Sequence, residues 1–299
     1  MPGRSSGYPI STVARVERPA SPKAPVAAFT VDVEDWYQSC IDADAPITER
    51  VVRNVERVLS VLDECGVRGT FFVQGRVAEQ FPGLVRDLVE QGHEIQSHGY
   101  SHRPLFRMNS RALRDELVAA RTSVEDASGV HVTAFRAQDF SIHEKNLWAL
   151  ETLAETGFEI DSSIFPMRSR HYGIPRWEVG PHYLELGSGA RLLEVPVAVW
   201  ASRAARLPVA GGGYFRVLPV SVLKRGLRAV VDSGRPAVIY CHPYEFNADE
   251  LGEYRSVASR RYLLAQQLGR ASFAERVRTL LRTMPFGRFD EVLTAWGIT

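Results

Sequence analysis

Short apolar runs alternate with amphipathic helical patterns along almost the whole chain, and this alternation limits the choice of fold more than any other feature of the sequence. About seven strands are expected, a number and spacing typical of a parallel α/β architecture. The predicted strands cover residues 26–31, 70–73, 93–96, 133–136, 158–160, the hairpin arms 177–186 and 191–199, and 237–241. The predicted helices cover residues 48–65, 110–127, 147–155 and 219–232, and a further helix begins at Pro82.

The polar residues that stand out lie directly after predicted strands. Since βα barrels assemble their active sites at the carboxyl ends of the strands, this placement favours a barrel with incomplete or irregular closure over a doubly wound sheet. We expect residues 26–299 to form one domain that carries a helical C-terminal extension from about residue 247. Residues 1–25 are rich in Pro, Ser and Arg and are predicted to be a disordered tail.

Charge and composition exclude several classes of protein. The formal net charge of +1 argues against a protein that binds nucleic acid through bulk electrostatics. No run approaches the roughly eighteen apolar residues of a transmembrane helix, and residues 1–25 hold no apolar core of a signal peptide. The cysteines Cys40, Cys65 and Cys241 are odd in number and lack metal-ligand spacing, which favours reduced thiols. These features predict a cytoplasmic protein.

Two histidines four residues apart are the strongest local signal in the chain. His98 and His102, in the sequence SHGYSH, are expected on one face of a helical turn, from which both could bind one metal ion. The alternative is a pair of surface or packing histidines. Because the pair follows the predicted strand 93–96, where a barrel would place its active site, we favour metal ligation.

Three carboxylates lie within four residues at the end of the first predicted strand: Asp32, Glu34 and Asp35. Buried carboxylates are costly unless they are paired or bound to a cation, so the cluster favours a metal site over the alternative, a solvated acidic turn. One carboxylate and the two histidines would complete a metal triad with open positions for water and substrate. A second carboxylate would remain free to act as a base.

Three further polar residues follow predicted strands. His242 ends the apolar strand 237–241 and is either a satisfied core histidine or, given a metal cluster at the same barrel face, a general acid. Arg136 is either functional or part of a surface salt bridge. Asp161 is either functional or the cap of a helix or turn.

Taken in order, the segments TVDVED, TFFVQG, GHEIQSHGYSH, FRAQDFS, DSSIFP and IYCHP resemble the successive motifs of the polysaccharide deacetylase family. The resemblance extends over about residues 26–246, and DVEDW, GGGYFR and HPYEF are similar to the branch found in bacterial exopolysaccharide loci. It implies a distorted (β/α)7 barrel that holds one divalent metal ion, with zinc expected. It also implies a hydrolase that removes acetyl groups from an N-acetylated sugar, oligosaccharide or polysaccharide.

The resemblance also assigns roles to individual residues. It makes His98 and His102 the metal histidines and Asp32 the catalytic base. It makes Arg136 the residue that orients this base and His242 the catalytic acid. The segment that contains Asp161 would line the site and steady that acid.

Two departures from the family pattern leave questions open. The family commonly has adjacent aspartates in its first motif, whereas this chain has DVED, so the metal carboxylate is either Glu34 or Asp35. The family's third motif usually has a proline after the arginine, where this chain has Gln138 and Asp139, and this leaves the oxyanion hole undefined. Two alternative functions are a hydrolase of a small non-peptide C–N bond on the same scaffold and a metal-free carbohydrate-binding barrel.

Overall fold

Helices and strands alternate along the chain, with parallel strands at the centre of the fold. The computed structural model describes residues 11–15, 24–168, 172–202 and 205–299. Its strands are β1 (Ser11–Arg15), β2 (Ala27–Val33), β3 (Thr70–Val73), β4 (Glu94–Ser97), β5 (Ala134–Phe135), β6 (Ile160–Asp161), β7 (His182–Glu185), β8 (Arg191–Glu194), β9 (Val199–Ala201), β10 (Arg206–Pro208), β11 (Ala237–Cys241) and β12 (Phe286–Gly287).

The α-helices cover the strands and form most of the C-terminal region. They are α1 (Trp36–Cys40), α2 (Arg50–Cys65), α3 (Gly75–Gln80), α4 (Pro82–Glu90), α5 (Ser110–Ser128), α6 (Trp148–Glu155), α7 (Gly213–Val217), α8 (Val220–Asp232), α9 (Arg260–Gln267), α10 (Phe273–Leu281) and α11 (Phe289–Ala295). Short 3-10 helices cover Leu105–Arg107, Gln138–Phe140, Pro243–Phe246, Glu250–Tyr254 and Arg270–Ser272. None of the helices in these described ranges is both long and apolar enough to cross a bilayer.

The barrel strands run in the order β11, β2, β3, β4, β5, β6 and β8, and each neighbouring pair is parallel. The register places Ala237 beside Ala27 and Asp161 beside Glu194. Every residue of β2 and β11 is buried, as expected of parallel strands that are covered on both faces. The predicted α/β barrel of seven parallel strands is confirmed.

The barrel closes irregularly between β8 and β11. The N–H of Ala198 donates to the carbonyl of Val238 at 2.8 Å, and the N–H of Tyr240 donates to the carbonyl of Ala210 at 2.8 Å. Gly211 forms an isolated bridge with Tyr240, and a Cβ at this glycine would lie 1.7 Å from the Tyr240 carbonyl oxygen. Only glycine fits at position 211. Single hydrogen bonds, rather than a continuous ladder, thus complete the barrel.

The helix α2 shows how the sequence pattern becomes packing. Its buried residues include Val51, Val55, Val58 and Leu62, which recur at helical spacing and face the barrel core. The helix ends at Gly66, whose φ of 65° is left-handed and allows its N–H to cap the last turn. The predicted helix over residues 48–65 and its glycine stop are therefore confirmed.

The N-terminal strand β1 differs from the prediction of a disordered tail. It pairs antiparallel with β7, so backbone groups that would lie open at the sheet edge are hydrogen bonded. The rest of the predicted tail, residues 1–10 and 16–23, lies outside the described residues. The predicted hairpin is present as the antiparallel pair β7–β8. The short elements α1, α3, β9, β10 and β12 were not predicted.

The C-terminal extension is anchored to the barrel by a second hydrophobic core. Trp36 of α1 packs there with Tyr244, Leu251, Tyr254 and Leu263. The chain then returns to the barrel, because α10 packs against α2 and β12 pairs parallel with β2. The extension therefore carries α9 over the carboxyl ends of the barrel strands, beside the loop that contains α1.

Candidate functional site

Polar side chains at the carboxyl ends of three barrel strands converge on one cavity of about 340 Å³. Asp32 lies near the end of β2, and Glu34 follows this strand directly. His98 follows β4, and His242 follows β11. Because the three strands are parallel, their ends meet at one rim of the barrel, as the sequence pattern predicted.

Glu34, His98 and His102 form a buried cluster whose three ligand atoms all lie within 4.8 Å of one another. Glu34 Oε2 lies 3.4 Å from His98 Nε2 and also contacts His102 Nε2. Burial acts to raise the pKa of Glu34, but the imidazoles of His102 and His98 outweigh burial and hold that pKa well below its ordinary value. An ionised carboxylate and two ring nitrogens thus face one point.

This donor set fits a divalent metal ion. Among the described residues, the buried Glu34 Oε2 faces only the ring nitrogens of His98 and His102. His98 Nδ1 lies 2.9 Å from the carbonyl oxygen of Arg136, a contact in which Nδ1 carries the proton and leaves Nε2 free to bind a metal. Two imidazoles and one carboxylate are typical of zinc sites that keep an open position.

The loop that holds the two histidines is not helical, so the predicted helical turn is wrong. Gly99 and His102 both have left-handed backbones, with φ of 69° and 62°, and neither value continues a right-handed helix. Glu116 instead holds the loop, because its carboxylate accepts the N–H groups of residues 100 and 101. The convergence of His98 on His102 comes from this turn of the loop.

Asp35, the other candidate for the metal carboxylate, is occupied elsewhere. Its Oδ1 accepts the N–H of Tyr37 at 3.0 Å and so caps α1. Its Oδ2 accepts the N–H of Thr48 at 3.0 Å and the hydroxyl of the same residue at 2.5 Å. Both oxygens are thus bound by the protein, and the structure brings Glu34 to the histidines instead of Asp35.

Asp32 is paired with Arg136 inside the barrel. The guanidinium Nη1 donates to Asp32 Oδ1 at 2.8 Å and to Thr30 Oγ1 at 2.6 Å, while Nη2 donates to Ser162 Oγ at 3.1 Å. The Arg136 side chain is fully buried and its guanidinium lies 4.1 Å from the ring centroid of Phe72. A surface salt bridge is therefore excluded, and Arg136 fixes one face of the Asp32 carboxylate.

His242 is a partly exposed residue of the cavity rather than a satisfied core histidine. Its Nδ1 lies 3.2 Å from Glu245 Oε2, and its Nε2 lies 4.0 Å from Glu34 Oε1. Burial acts to lower the pKa of His242, but the hydrogen bond that its ring donates to Glu245 and the charge of Glu34 outweigh burial and raise the pKa to about 9. At neutral pH the ring is therefore protonated beside the metal cluster.

Asp161 does not hold His242, contrary to the role that the resemblance implied. It accepts the hydroxyl of Ser163 and lies beside Glu194, its neighbour in the barrel register. Both carboxyl groups are fully buried. Burial raises the pKa of Asp161 and, with the charge of Asp161 added, raises the pKa of Glu194 well above its ordinary value. Glu245, and not Asp161, contacts His242.

Several residues of the cavity were missed from the sequence. Glu245 lies three residues after His242, at the spacing that allows a side chain to reach back to the first residue of a helix. Tyr262 and Gln266 of α9 line the cavity although they lie in the extension. Gln138, which the sequence had already marked as a departure from the family pattern, does not line the cavity but donates to the carbonyl of His98 at 2.6 Å. Only Glu245 had a local signal that could have been used.

The chain matches two family models, and β6 lies in the short gap between the two matched segments. Residues 22–158 match the model described as polysaccharide deacetylase. Residues 162–294 match a model described as a domain of unknown function, DUF3473. The metal cluster, Asp32 and Arg136 lie in the first segment, whereas His242 and Glu245 lie in the second.

Among curated relatives, the peptidoglycan-N-acetylglucosamine deacetylase of Bacillus cereus is 31% identical over 96 residues, which are 32% of this chain and 35% of that protein. The alignment thus spans about a third of the relative. A solved structure from Mycobacterium smegmatis, described as a polysaccharide deacetylase, has a TM-score of 0.61 at 23% identity and covers 95% of this chain and 94% of its own. Puue allantoinase has a TM-score of 0.61 at 13% identity, with 96% and 95% covered. These two structures share the fold.

Proposed function

Since this chain belongs to the polysaccharide deacetylase family, whose model its residues 22–158 match, we propose that it is a metal-dependent carbohydrate N-deacetylase. Its substrate would be an N-acetylated sugar, oligosaccharide or polysaccharide. The observation that carries this proposal is the convergence of a buried metal-type cluster with Asp32 and His242 on one cavity. Each of these groups matches one requirement of amide hydrolysis.

Glu34, His98 and His102 would hold the metal ion, with zinc expected from the two imidazoles and one carboxylate. When bound, such an ion acts as a Lewis acid toward the acetamide carbonyl and makes water more acidic. The carbonyl of Arg136 orients the imidazole of His98 for this task. Asp35 would contribute only by fixing the start of α1 beside the cluster.

Asp32 would act as the general base. Arg136 holds Oδ1 of this carboxylate at 2.8 Å, so the group is oriented before substrate binds. As a water molecule attacks the acetamide carbon, one of its protons passes to Asp32. The guanidinium stays buried and charged throughout, which gives it a positioning role rather than a part in proton transfer.

His242 would act as the general acid. The carboxylate of Glu245 accepts a hydrogen bond from Nδ1 and favours the protonated ring, and Nε2 is the nitrogen on the side of Glu34 and the cavity. As the C–N bond breaks, Nε2 donates its proton to the departing sugar nitrogen. The products are acetate and a free amine, and no covalent enzyme intermediate is needed.

The proposal is tested with the zinc-loaded full chain and a panel of N-acetylated sugars, oligosaccharides and polysaccharides. The panel includes repeat units of bacterial exopolysaccharides, because GGGYFR and HPYEF resemble that branch of the family. We expect acetate and free amine in equal amounts, and no release after chelation or in Asp32→Asn. The absence of both products from every N-acetylated saccharide, with metal bound, would reject the proposal.

Small amides that lack a sugar, together with a measurement of saccharide binding, extend the panel to the two alternative functions. The likeness to Puue allantoinase concerns the fold, so it does not favour one C–N bond over another. A hydrolase of small amides would cleave cyclic and acyclic amides that lack a sugar. A metal-free binding barrel would retain saccharide affinity without zinc and release no acetate, which the cluster of Glu34, His98 and His102 argues against.

A further inference from the structure

We propose that Glu245, held in place by Arg216, is the positioning residue of His242 and fixes which ring nitrogen faces the departing amine. This role rests on the proposed function, in which His242 is the general acid. It replaces the assignment to Asp161 that the family pattern implied. The support for the acid would then come entirely from residues 162–294, the segment of unknown function.

Glu245 is almost completely buried and is committed to His242 through two contacts. Its Oε2 accepts the backbone N–H of His242 at 3.1 Å and lies 3.2 Å from His242 Nδ1. The carboxylate therefore binds the main chain and the ring of the same residue. Because a carboxylate only accepts hydrogen bonds, Nδ1 must carry a proton in this arrangement.

The other contacts of His242 leave Nε2 as the nitrogen available to the cavity. One face of the ring stacks on Tyr244, with centroids 4.9 Å apart and planes at 6°. The ring of Tyr240 meets it edge-on at 5.7 Å. With Nδ1 bound by Glu245, Nε2 lies 4.0 Å from Glu34 Oε1. Stacking and hydrogen bonding thus aim one nitrogen at the metal cluster.

Arg216 anchors the remote oxygen of this carboxylate. Its Nε lies 3.1 Å from Glu245 Oε1, and its Nη1 donates to the carbonyl of Gln266 in α9. Arg216 belongs to α7, which follows the glycine loop of the GGGYFR segment. The N–H of Gly212 donates to the carbonyl of Tyr240 at 3.2 Å, so the loop is fixed to β11 two residues before the acid.

Asp161 cannot take the same part while its own partners are in place. Its carboxylate accepts the hydroxyl of Ser163 and lies beside Glu194, its neighbour in the barrel register. Asp161 would have to leave these partners to reach the ring of His242. Of the two buried carboxylates Asp161 and Glu245, only Glu245 contacts the ring of His242.

The arrangement has a defined consequence for the proton. During C–N cleavage the protonated ring gives its Nε2 proton to the sugar nitrogen, while the proton on Nδ1 stays there, hydrogen bonded to Glu245. The neutral ring is therefore left as the Nδ1–H tautomer, with a lone pair on Nε2 that can take up the next proton. In serine hydrolases, loss of a carboxylate that selects a histidine tautomer lowers turnover by up to about 10⁴-fold.

The test compares an amide with an activated ester in zinc-loaded Glu245→Gln. An aryl acetate such as 4-nitrophenyl acetate releases a phenolate that needs no proton, whereas an N-acetylated sugar must be protonated as it leaves. We expect kcat for the sugar to fall by about 10²-fold at unchanged KM, while kcat for the ester changes by less than about 3-fold. Equal losses on both substrates would mean a merely structural role and would overturn the proposal.

Nitrogen NMR of histidine-labelled protein gives a readout that does not depend on turnover. At a pH where the ring is neutral, His242 should be the Nδ1–H tautomer in the wild type and a mixture in Glu245→Gln, with zinc content unchanged. Arg216→Gln should shift the tautomer in the same direction but less. Asp161→Asn is the matched control and should leave the tautomer as it is.

A changed tautomer in Asp161→Asn, together with an unchanged one in Glu245→Gln, would return the role to Asp161. The tautomer measurement also distinguishes a failure of this positioning role from a failure of the proposed deacetylase function. If the wild type released no acetate from any saccharide but showed the Glu245-dependent tautomer, the deacetylase assignment would fail and the positioning of His242 would stand.

Discussion

Residues 22–158 and residues 162–294 both line the cavity, but they hold their functional side chains in different ways. In the first segment, Asp32 and Glu34 stand at the end of β2, two strands away from the strand that precedes His98, within a continuous parallel ladder. In the second segment, His242 depends on Glu245 in a 3-10 helix, beside the irregular closure of the barrel.

The difference separates groups fixed by the sheet from a group fixed by local contacts. Strands with hydrogen-bonded neighbours on both sides leave Asp32 and the residues that directly follow β2 and β4, Glu34 and His98, little freedom to move. The acid is aimed by a few side-chain contacts, to Glu245 and Tyr244. We therefore expect substitutions in the first segment to remove a chemical component outright, and substitutions in the second to give graded effects.

The largest effect is expected from His98→Ala/His102→Ala. The variant removes two of the three ligand atoms of the cluster, so bound metal and turnover should both fall to background. Metal content by mass spectrometry and acetate release measure the two effects. The matched control is His131→Ala/His143→Ala, which removes two histidines that do not line the cavity. Full metal occupancy in the His98/His102 variant would refute the metal assignment.

Asp32→Asn should abolish turnover but leave metal bound. The substitution keeps the size of the side chain and an oxygen for Arg136, but removes the charge that accepts a proton. Acetate release and metal content, measured on the same sample, check this expectation. The comparison would break down if Asp32→Asn lost its metal while Glu34→Gln kept it, because base and ligand would then have exchanged roles.

Much of the fold and of the first segment could be predicted from sequence because the signals are local. Continuous apolar runs of β-type residues marked β3 and β11, and the spacing of His98 and His102 marked a shared ligand site. Even the choice between the two metal carboxylates had a local basis, since Glu34 shares a strand face with Asp32 at the period of two. Asp35 falls one residue later, where it caps α1.

The parts of the site that were not predicted from sequence depend on contacts between segments far apart in the chain. Asp161 is paired with Glu194 by the register of two strands separated by a hairpin arm, and no spacing in the sequence encodes that register. The loop of His102 looked helical because its left-handed backbone has no sequence signal other than Gly99. Gln266 reaches the cavity only because the extension folds back over it.

His242→Ala should slow amine release by about 10²–10⁴-fold, the usual contribution of a positioned proton donor. The wild-type rate should fall as the pH rises through the pKa of His242, since the acid loses its proton there. Burial lowers this pKa, but Glu245 and Glu34 raise it further, to about 9. The alanine variant should lack this alkaline limb. A limb that persisted would remove His242 from the mechanism, and His131→Ala serves as the control.

The smallest effect is expected at the junction of the two segments, where Asp161 meets Glu194. Both carboxyl groups are fully buried, and Asp161 Oδ2 and Glu194 Oε2 have no other donor among the described residues, which fits a proton shared between them. Burial, and then the charge of Asp161, raises the pKa of Glu194. Between its ordinary pKa and this raised value, the folded state binds a proton that the unfolded state lacks. The free energy of unfolding must therefore decrease as the pH rises through that window, by at most about 1.4 kcal/mol per pH unit. Glu194→Gln removes this titration but keeps a donor for Asp161. The variant should thus be more stable relative to the wild type at pH 8 than at pH 5, as measured by urea unfolding at both pH values.

Glu90→Gln, at an exposed position on α4, is the matched control and should show no such difference. Equal pH dependence in Glu194→Gln and the wild type would mean that the pair shares no proton, and that Arg136 balances two ionised carboxylates.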